Sequence, residues 1–331
     1  MMSLTMNAIH HKLSLSAILG ATLLSCAVNT SCGNEQPIVA IDPATIDFDS
    51  QRAFSDLEHL CNVIGTRRIG TPGSKKTQDW IADKLSELKG WSHSTDSFIA
   101  TAPAAARRSG DIEGSNIFAK RQGTKPGEIW ICSHYDTFDK PGFVGANDGG
   151  SSTVVLLELA RQLQGDAPLP GMSIIMCWFD GEESFPPVNW NDNVNSTFGS
   201  RHVAYAKRDD GTLKDIRAFI LLDMVGDKQL GLVKDTTSNS GLKSIFEQTA
   251  QQLGDGNLFV GQRKVSDDHI HFRKLGVPTI DIIDFNFGPA NSYWHTTKDV
   301  IENTSANSLG RVGRLVLAAL PTVNAKYGLA E

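Results

Sequence analysis

Glu128-Ile129-Trp130-Ile131-Cys132-Ser133-His134-Tyr135-Asp136 is the stretch that decides the fold. An apolar run of strand length, rich in β-branched and aromatic residues, stops at a histidine and an aspartate. Apolar residues at successive positions, without alternation, fit a strand covered on both faces. The pattern recurs. Ser173–Phe179 runs into Asp180-Gly181-Glu182-Glu183, and Phe219–Leu222 runs into Asp223. A fourth polar cluster, Gly145-Ala146-Asn147-Asp148-Gly149-Gly150, stands just before a helical pattern over Thr153–Gln164.

Working outward, strand-like runs cover Ser97–Thr101, Ser115–Ala119, Glu128–Ser133, Met172–Phe179, Ala218–Leu222 and Pro278–Ile283. Helical spacing covers Gln51–Ile64, Ser74–Leu88, Thr153–Gln164, Gly241–Leu253 and Ser305–Leu320. Strands alternating with helices predict one α/β domain, with a mixed, mostly parallel sheet and helices on both faces. That domain is expected over 44–331, after a polar linker spanning 26–43. Phe185–Ser196, rich in Pro and Asn, reads as a surface loop.

The N-terminus has a different character. His10, His11 and Lys12 precede the apolar run Leu13–Leu24, which ends in Leu23-Leu24-Ser25-Cys26. A positive region, a short apolar stretch and a small residue at the cut read as an export signal over 1–25. The run is short for a bilayer span. Leu-Leu-Ser-Cys resembles the lipobox of bacterial lipoproteins, with Cys26 as lipidation site; ordinary signal cleavage is the alternative. Either way the protein is expected to be exported, to a bacterial periplasm or cell surface, touching membrane only through a lipid anchor. The chain carries a formal net charge of −6 and no basic stripe, which argues against nucleic acid as a partner. Cys32, Cys61, Cys132 and Cys177 include no CxxC pair, so a cysteine zinc site is not expected, and buried thiols are favoured for Cys132 and Cys177.

In α/β sheets, sites form outside the carboxyl ends of the strands. His134, Asp136, Glu182, Glu183 and Asp223 all fall at such ends. A polar strand end is ordinary by itself; several at one edge are not. His, Asp and Glu are the nitrogen and oxygen ligands of open zinc sites. Adjacent Glu182 and Glu183 point apart if extended, so one can bind metal while the other handles protons. A solvated acidic loop is the plain alternative. The remaining ligand is sought in Trp294-His295-Thr296, where a satisfied loop histidine is the alternative.

The series His134-x-Asp136, Gly-Ala-Asn-Asp148, Glu182-Glu183, Asp223 and His295 resembles the co-catalytic zinc aminopeptidases, across nearly the whole mature chain. Asp180-Gly181-Glu182-Glu183, Trp190, Gly199-Ser200-Arg201-His202, Leu221-Leu222-Asp223, Asp267-Asp268-His269, Gly276-Val277-Pro278 and Trp294-His295-Thr296 are more similar to the glutaminyl cyclases of that family. The resemblance implies one zinc ion held by Asp148, Glu183 and His295, with Glu182 as proton shuttle. It makes Asp223 and Asp267 an acidic, hydrogen-bonded pair behind Glu182, and Trp190 and Trp294 the lining of the substrate site. In this family the ligand aspartate commonly precedes a cis peptide, which Gly149 would tolerate.

The expected activity is glutaminyl-peptide cyclotransferase: N-terminal glutamine becomes pyroglutamate with release of ammonia. The expected partners are peptides or proteins with a free N-terminal glutamine. The main rival is a two-zinc aminopeptidase, its second metal site completed by His134 and Asp223. A rival of another class is a non-catalytic, peptide-binding surface lipoprotein.

Overall fold

The apolar runs form the strands of a central sheet in the computed structural model, which describes residues 39–190 and 194–328. The segment 1–25 and Cys26 lie outside the described residues. In chain order the strands are β1 (Trp91–Ala102), β2 (Gly110–Arg121), β3 (Gly123–His134), β4 (Leu169–Phe179), β5 (Ile216–Asp223), β6 (Leu232–Asp235), β7 (Phe259–Arg263) and β8 (Thr279–Ile283). The helices are α1 (Ser50–His59), α2 (Pro72–Ser86), α3 (Ser152–Gln162), α4 (Phe198–Asp209), α5 (Ser240–Gln252), α6 (His269–Lys274) and α7 (Ala306–Tyr327).

The main sheet runs β1-β2-β4-β3-β5-β8. β4, β3, β5 and β8 are parallel, whereas β1 pairs antiparallel with β2, and β2 with β4. The α/β class with a mixed, mostly parallel sheet is therefore borne out. Alternate residues of the central strands serve two separate cores. Ile129, Ile131, Met176, Trp178, Ile220 and Leu222 pack with the buried faces of α1, α3, α5 and α7. Trp130, Cys132, Cys177, Phe179, Phe219 and Leu221 pack on the other side with Val203 of α4 and Phe272 of α6. Burial on both faces explains why these strands are apolar at every position. Cys61, Cys132 and Cys177 are buried free thiols.

Helix starts follow local chemistry. Asp49, Thr71, Asn239 and Ser305 cap α1, α2, α5 and α7 by accepting a backbone N–H of the first turn. Residues at the end of the expected linker are docked on the domain: Val39 N–H donates to Thr322 Oγ1 at 3.0 Å, and Arg314 donates to Pro43 O at 2.9 Å. Two expectations need adjustment. The Phe185–Ser196 stretch is not simply a surface loop, because Phe185 is buried against Phe198 and Asn195 is also buried. The Asp148–Gly149 peptide is trans; among the described residues the only cis bond is Pro186–Pro187. No helix among the described residues is long and apolar enough to cross a membrane.

Candidate active site

β3, β4 and β5 end side by side and deliver His134, the Asp180–Glu183 segment and Asp223 to one edge of the sheet. The chain turns at Gly181, with φ of 67°. Directly after it, the backbone N–H groups of Glu182 and Glu183 donate to the two carboxylate oxygens of buried Asp136, at 3.1 and 3.2 Å. Both peptide groups are thus fixed by one acid, and the successive side chains leave in different directions. Glu182 Oε2 lies 3.9 Å from His134 Nδ1, whereas Glu183 Oε2 lies 3.1 Å from His295 Nε2.

Asp148 arrives on the irregular turn ahead of α3 and is held just as firmly. Asp299 accepts the N–H of Asn147 at 2.6 Å and that of Asp148 at 3.0 Å. Gly149 follows with φ of 78°, and a Cβ there would lie 2.8 Å from both Asp136 O and His134 Cε1. Only glycine fits both the backbone angle and the space. The fully buried Arg67 guanidinium completes the scaffold, donating to Tyr135 O, Gly65 O, Val144 O and Gly145 O over 2.7–3.0 Å.

Asp148 stands between two histidines. Its Oδ2 is 3.4 Å from His295 Nε2, and its Oδ1 is 3.3 Å from His134 Nε2. His134 Nε2 also meets Asp223 Oδ1 at 3.1 Å. Two groups therefore offer ligand atoms within 4.8 Å of one another: Asp148, Glu183 and His295, and His134, Asp148 and Asp223. His295 adopts φ of 53°, a left-handed conformation that His tolerates better than most residues. Its ring is sandwiched, with Phe138 stacked at 4.0 Å and Trp294 at 4.2 Å, and its carbonyl accepts Lys140 Nζ at 2.9 Å.

The Asp148, Glu183 and His295 group fits zinc. Asp148 Oδ2 and both Glu183 oxygens are buried without a hydrogen-bond partner, which leaves them as acceptors needing a cation. Two ligands on one tetrahedral zinc, with bonds of about 2.0–2.1 Å, stand roughly 3.3 Å apart. The 3.1 and 3.4 Å separations from His295 agree. Electrostatics point the same way. Burial opposes charge on His295, but Glu183 and Asp148 outweigh it and raise its pKa to about 10. Burial raises Glu183 to about 7 against the pull of His295. Burial would also raise Asp148, yet the two histidines hold it below the usual carboxylate range. Glu182 is pushed well above its ordinary value, first by burial, then by Asp267 and Glu183, against His134.

Asp148, Glu182, Asp223, Asp267, Trp190, Trp294 and His295 all line one cavity of about 420 Å³. The expected Asp223–Asp267 hydrogen bond is not formed: Asp223 makes its close contact with His134, and Asp267 Oδ1 accepts the N–H of Asp268. Burial, then the neighbouring Asp223 and Asp268, raise Asp267 well above the usual carboxyl range. Asp299, Arg67 and Phe138 escaped the sequence reading. Phe138 follows the legible His134-x-Asp136 pair by two residues, and the Tyr135 carbonyl bound by Arg67 lies inside it, but nothing in the sequence ties Asp299 or Arg67 to this edge.

The model of peptidase family M28 matches residues 116–320, from β2 into α7 and across all the acids and histidines just described, though not Arg67. The chain belongs to peptidase family M28. Among curated relatives, glutaminyl-peptide cyclotransferase from Boiga irregularis is 28% identical over 293 residues, covering 77% of this chain and 76% of its own. The solved glutaminyl cyclase from an Acidobacteriales bacterium superposes with a TM-score of 0.78 at 33% identity, covering 90% of this chain and 100% of its own. A solved Zn-dependent exopeptidase from Parabacteroides distasonis gives a TM-score of 0.72 at 26% identity over 85% and 99% of the two chains. The resemblance to glutaminyl cyclases within the zinc aminopeptidase-like family is borne out, and with it the expectation of an enzyme.

Proposed function

We propose that this protein is a zinc-dependent glutaminyl-peptide cyclotransferase, converting the N-terminal glutamine of a peptide to pyroglutamate. One observation carries the reading: adjacent Glu182 and Glu183 face different partners, Glu183 in the metal-fitting group and Glu182 free to face the cavity. The similarity to proteins named glutaminyl-peptide cyclotransferase and glutaminyl cyclase supports it.

Asp148, Glu183 and His295 would hold the ion, which supplies Lewis-acid polarisation of the γ-carbonyl when bound. The reaction is intramolecular, because the α-amine and the γ-carboxamide belong to one residue, so proximity supplies much of the rate. The new C–N bond forms at the carboxamide carbon, and the C–NH₂ bond breaks. Glu182 takes the proton from the α-amine and returns it to the leaving nitrogen. Asp223 and Asp267 give the α-amino group an acidic destination. Trp190 and Trp294 form apolar walls for a short side chain whose polar end meets the ion.

The two-zinc aminopeptidase remains the second reading, favoured by the His134, Asp148 and Asp223 group. Export and lipid attachment at Cys26 complete the proposal for location and rest on the N-terminal pattern. The experiment is ammonia release by the zinc-loaded protein from a glutaminyl peptide and from its N-acetylated form. Release from the free peptide alone supports the reading; release from neither rejects it.

A further inference from the structure

The depth and the mouth of the cavity carry opposite charge. Glu182, Asp223 and Asp267 lie at its buried end, while Arg263 and Lys264 line its exposed end. Arg263 is not a loose surface cation. It ends β7, where its carbonyl accepts the N–H of Thr236 at 2.9 Å. Its guanidinium lies over the Phe285 ring, 4.0 Å from the centroid, and donates to Phe285 O at 3.4 Å. Phe285 meets Trp294 at 5.3 Å, and Trp294 stacks on His295 at 4.2 Å. A relay of rings thus ties the guanidinium to the metal-fitting group. Among the described residues, neither Arg263 nor Lys264 has an acidic partner within ion-pair distance.

We propose that Arg263 and Lys264 form a carboxylate-recognising rim, so that the enzyme prefers peptides bearing an acidic group shortly after the N-terminal glutamine. This rests on the cyclotransferase reading. A substrate entering with its α-amine toward the buried acids must leave its following residues at the mouth. At about 3.3–3.6 Å per extended residue, the three ring contacts place the guanidinium within about four residues of the N-terminus. A guanidinium fixed against an aromatic face loses little freedom on meeting a carboxylate. The carboxylate can come from an Asp or Glu side chain or from the C-terminus of a very short peptide.

The test compares C-terminally amidated Gln-Glu-Ala-Ala, Gln-Lys-Ala-Ala and Gln-Ala-Ala-Ala on the zinc-loaded protein, with Gln-Ala-Ala as the free acid. The glutamyl peptide is expected to exceed the lysyl peptide about three- to tenfold in kcat/KM, mainly through KM, with the gap shrinking in high salt. A gain for the free acid without a gain for the glutamyl amide assigns the rim to the terminal carboxylate. In the Arg263→Gln, Lys264→Gln double variant the glutamyl-to-lysyl ratio should fall toward unity, and Arg263→Lys should restore part of it. Equal kcat/KM for all four peptides overturns the proposal. Tryptophan fluorescence on adding Asn-Glu-Ala-Ala or Asn-Lys-Ala-Ala amides, which would have to close a strained four-membered ring, reads binding without turnover. Preference for the acidic asparaginyl peptide, without ammonia from any glutaminyl peptide, keeps the rim and rejects the cyclisation.

Discussion

Glu182 and Glu183 are neighbours in the chain yet serve different histidines, with Glu182 Oε2 3.9 Å from His134 Nδ1 and Glu183 Oε2 3.1 Å from His295 Nε2. Single substitutions should separate their roles. Glu183→Gln removes a charged ligand and should lose zinc. Glu182→Gln should keep zinc and fold while turnover falls by roughly two to four orders of magnitude. Metal content and turnover measured on both variants check this; equal zinc retention contradicts the division of labour.

A second prediction concerns metal count. Burial disfavours charge on His134, but Glu182 and its contacts with Asp136, Asp148 and Asp223 raise its pKa well above the ordinary value. His134 Nε2 and Asp223 Oδ1, the atoms a second ion would need, already pair with each other at 3.1 Å, whereas both Glu183 oxygens have no hydrogen-bond partner. We expect one zinc per chain after dialysis, by elemental analysis. Two zinc ions per chain would favour the aminopeptidase.

Asp299 gives a third. Its two oxygens accept the N–H groups of Asn147 and Asp148, and it is fully buried. Asparagine would offer one acceptor and turn its amide donors toward the other N–H. Asp299→Asn should weaken zinc binding about 10- to 100-fold, the usual worth of a residue that orients a ligand. Competition with a chelator measures it, and unchanged affinity would show that Asp148 needs no such support.

The contrast between Asp148 and Asp299 shows what the sequence can and cannot reveal. Asp148 lies in a Gly-rich cluster before a strong helix, and His134, Glu182 and Asp223 follow apolar runs, so local pattern exposes them. Asp299 lies 151 residues from the peptide it holds, and only the fold brings them together. Arg67 is hidden for the same reason, binding carbonyls up to 78 residues away. The central strands were legible because both faces are apolar. α4, directly after the Asn-rich stretch, and the short β6 and β7 pair were not: α4 buries small Gly199, Ser200 and Ala204 beside Phe198 and Val203, and β7 is largely exposed. β1 was underestimated because its first residues, from Ser92 to Thr95, are polar and exposed.

A fourth prediction concerns acid stability. His269 is buried, 3.6 Å from Asp235 and 3.6 Å from Asp281. Burial lowers its pKa to about 4, despite Asp235. Because the folded value lies below the unfolded one of about 6.5, its contribution is complete above pH ~6.5 and lost as pH falls through 4. The loss should reach about 3 kcal/mol for this group. Urea midpoints across that window should fall less steeply in His269→Gln; the same slope in both proteins would place the acid sensitivity elsewhere.

The central claim is that the nucleophile is the substrate's own α-amine, held near the acids, and not water. The measurement that tests it most directly is turnover of a glutaminyl peptide in water enriched in heavy oxygen, read by mass spectrometry. Cyclisation predicts a product lighter than the substrate by one ammonia and free of heavy oxygen, because no water bond is made. Released glutamine carrying heavy oxygen in its new carboxylate, together with an unlabelled shortened peptide, would contradict the account and identify the site as hydrolytic.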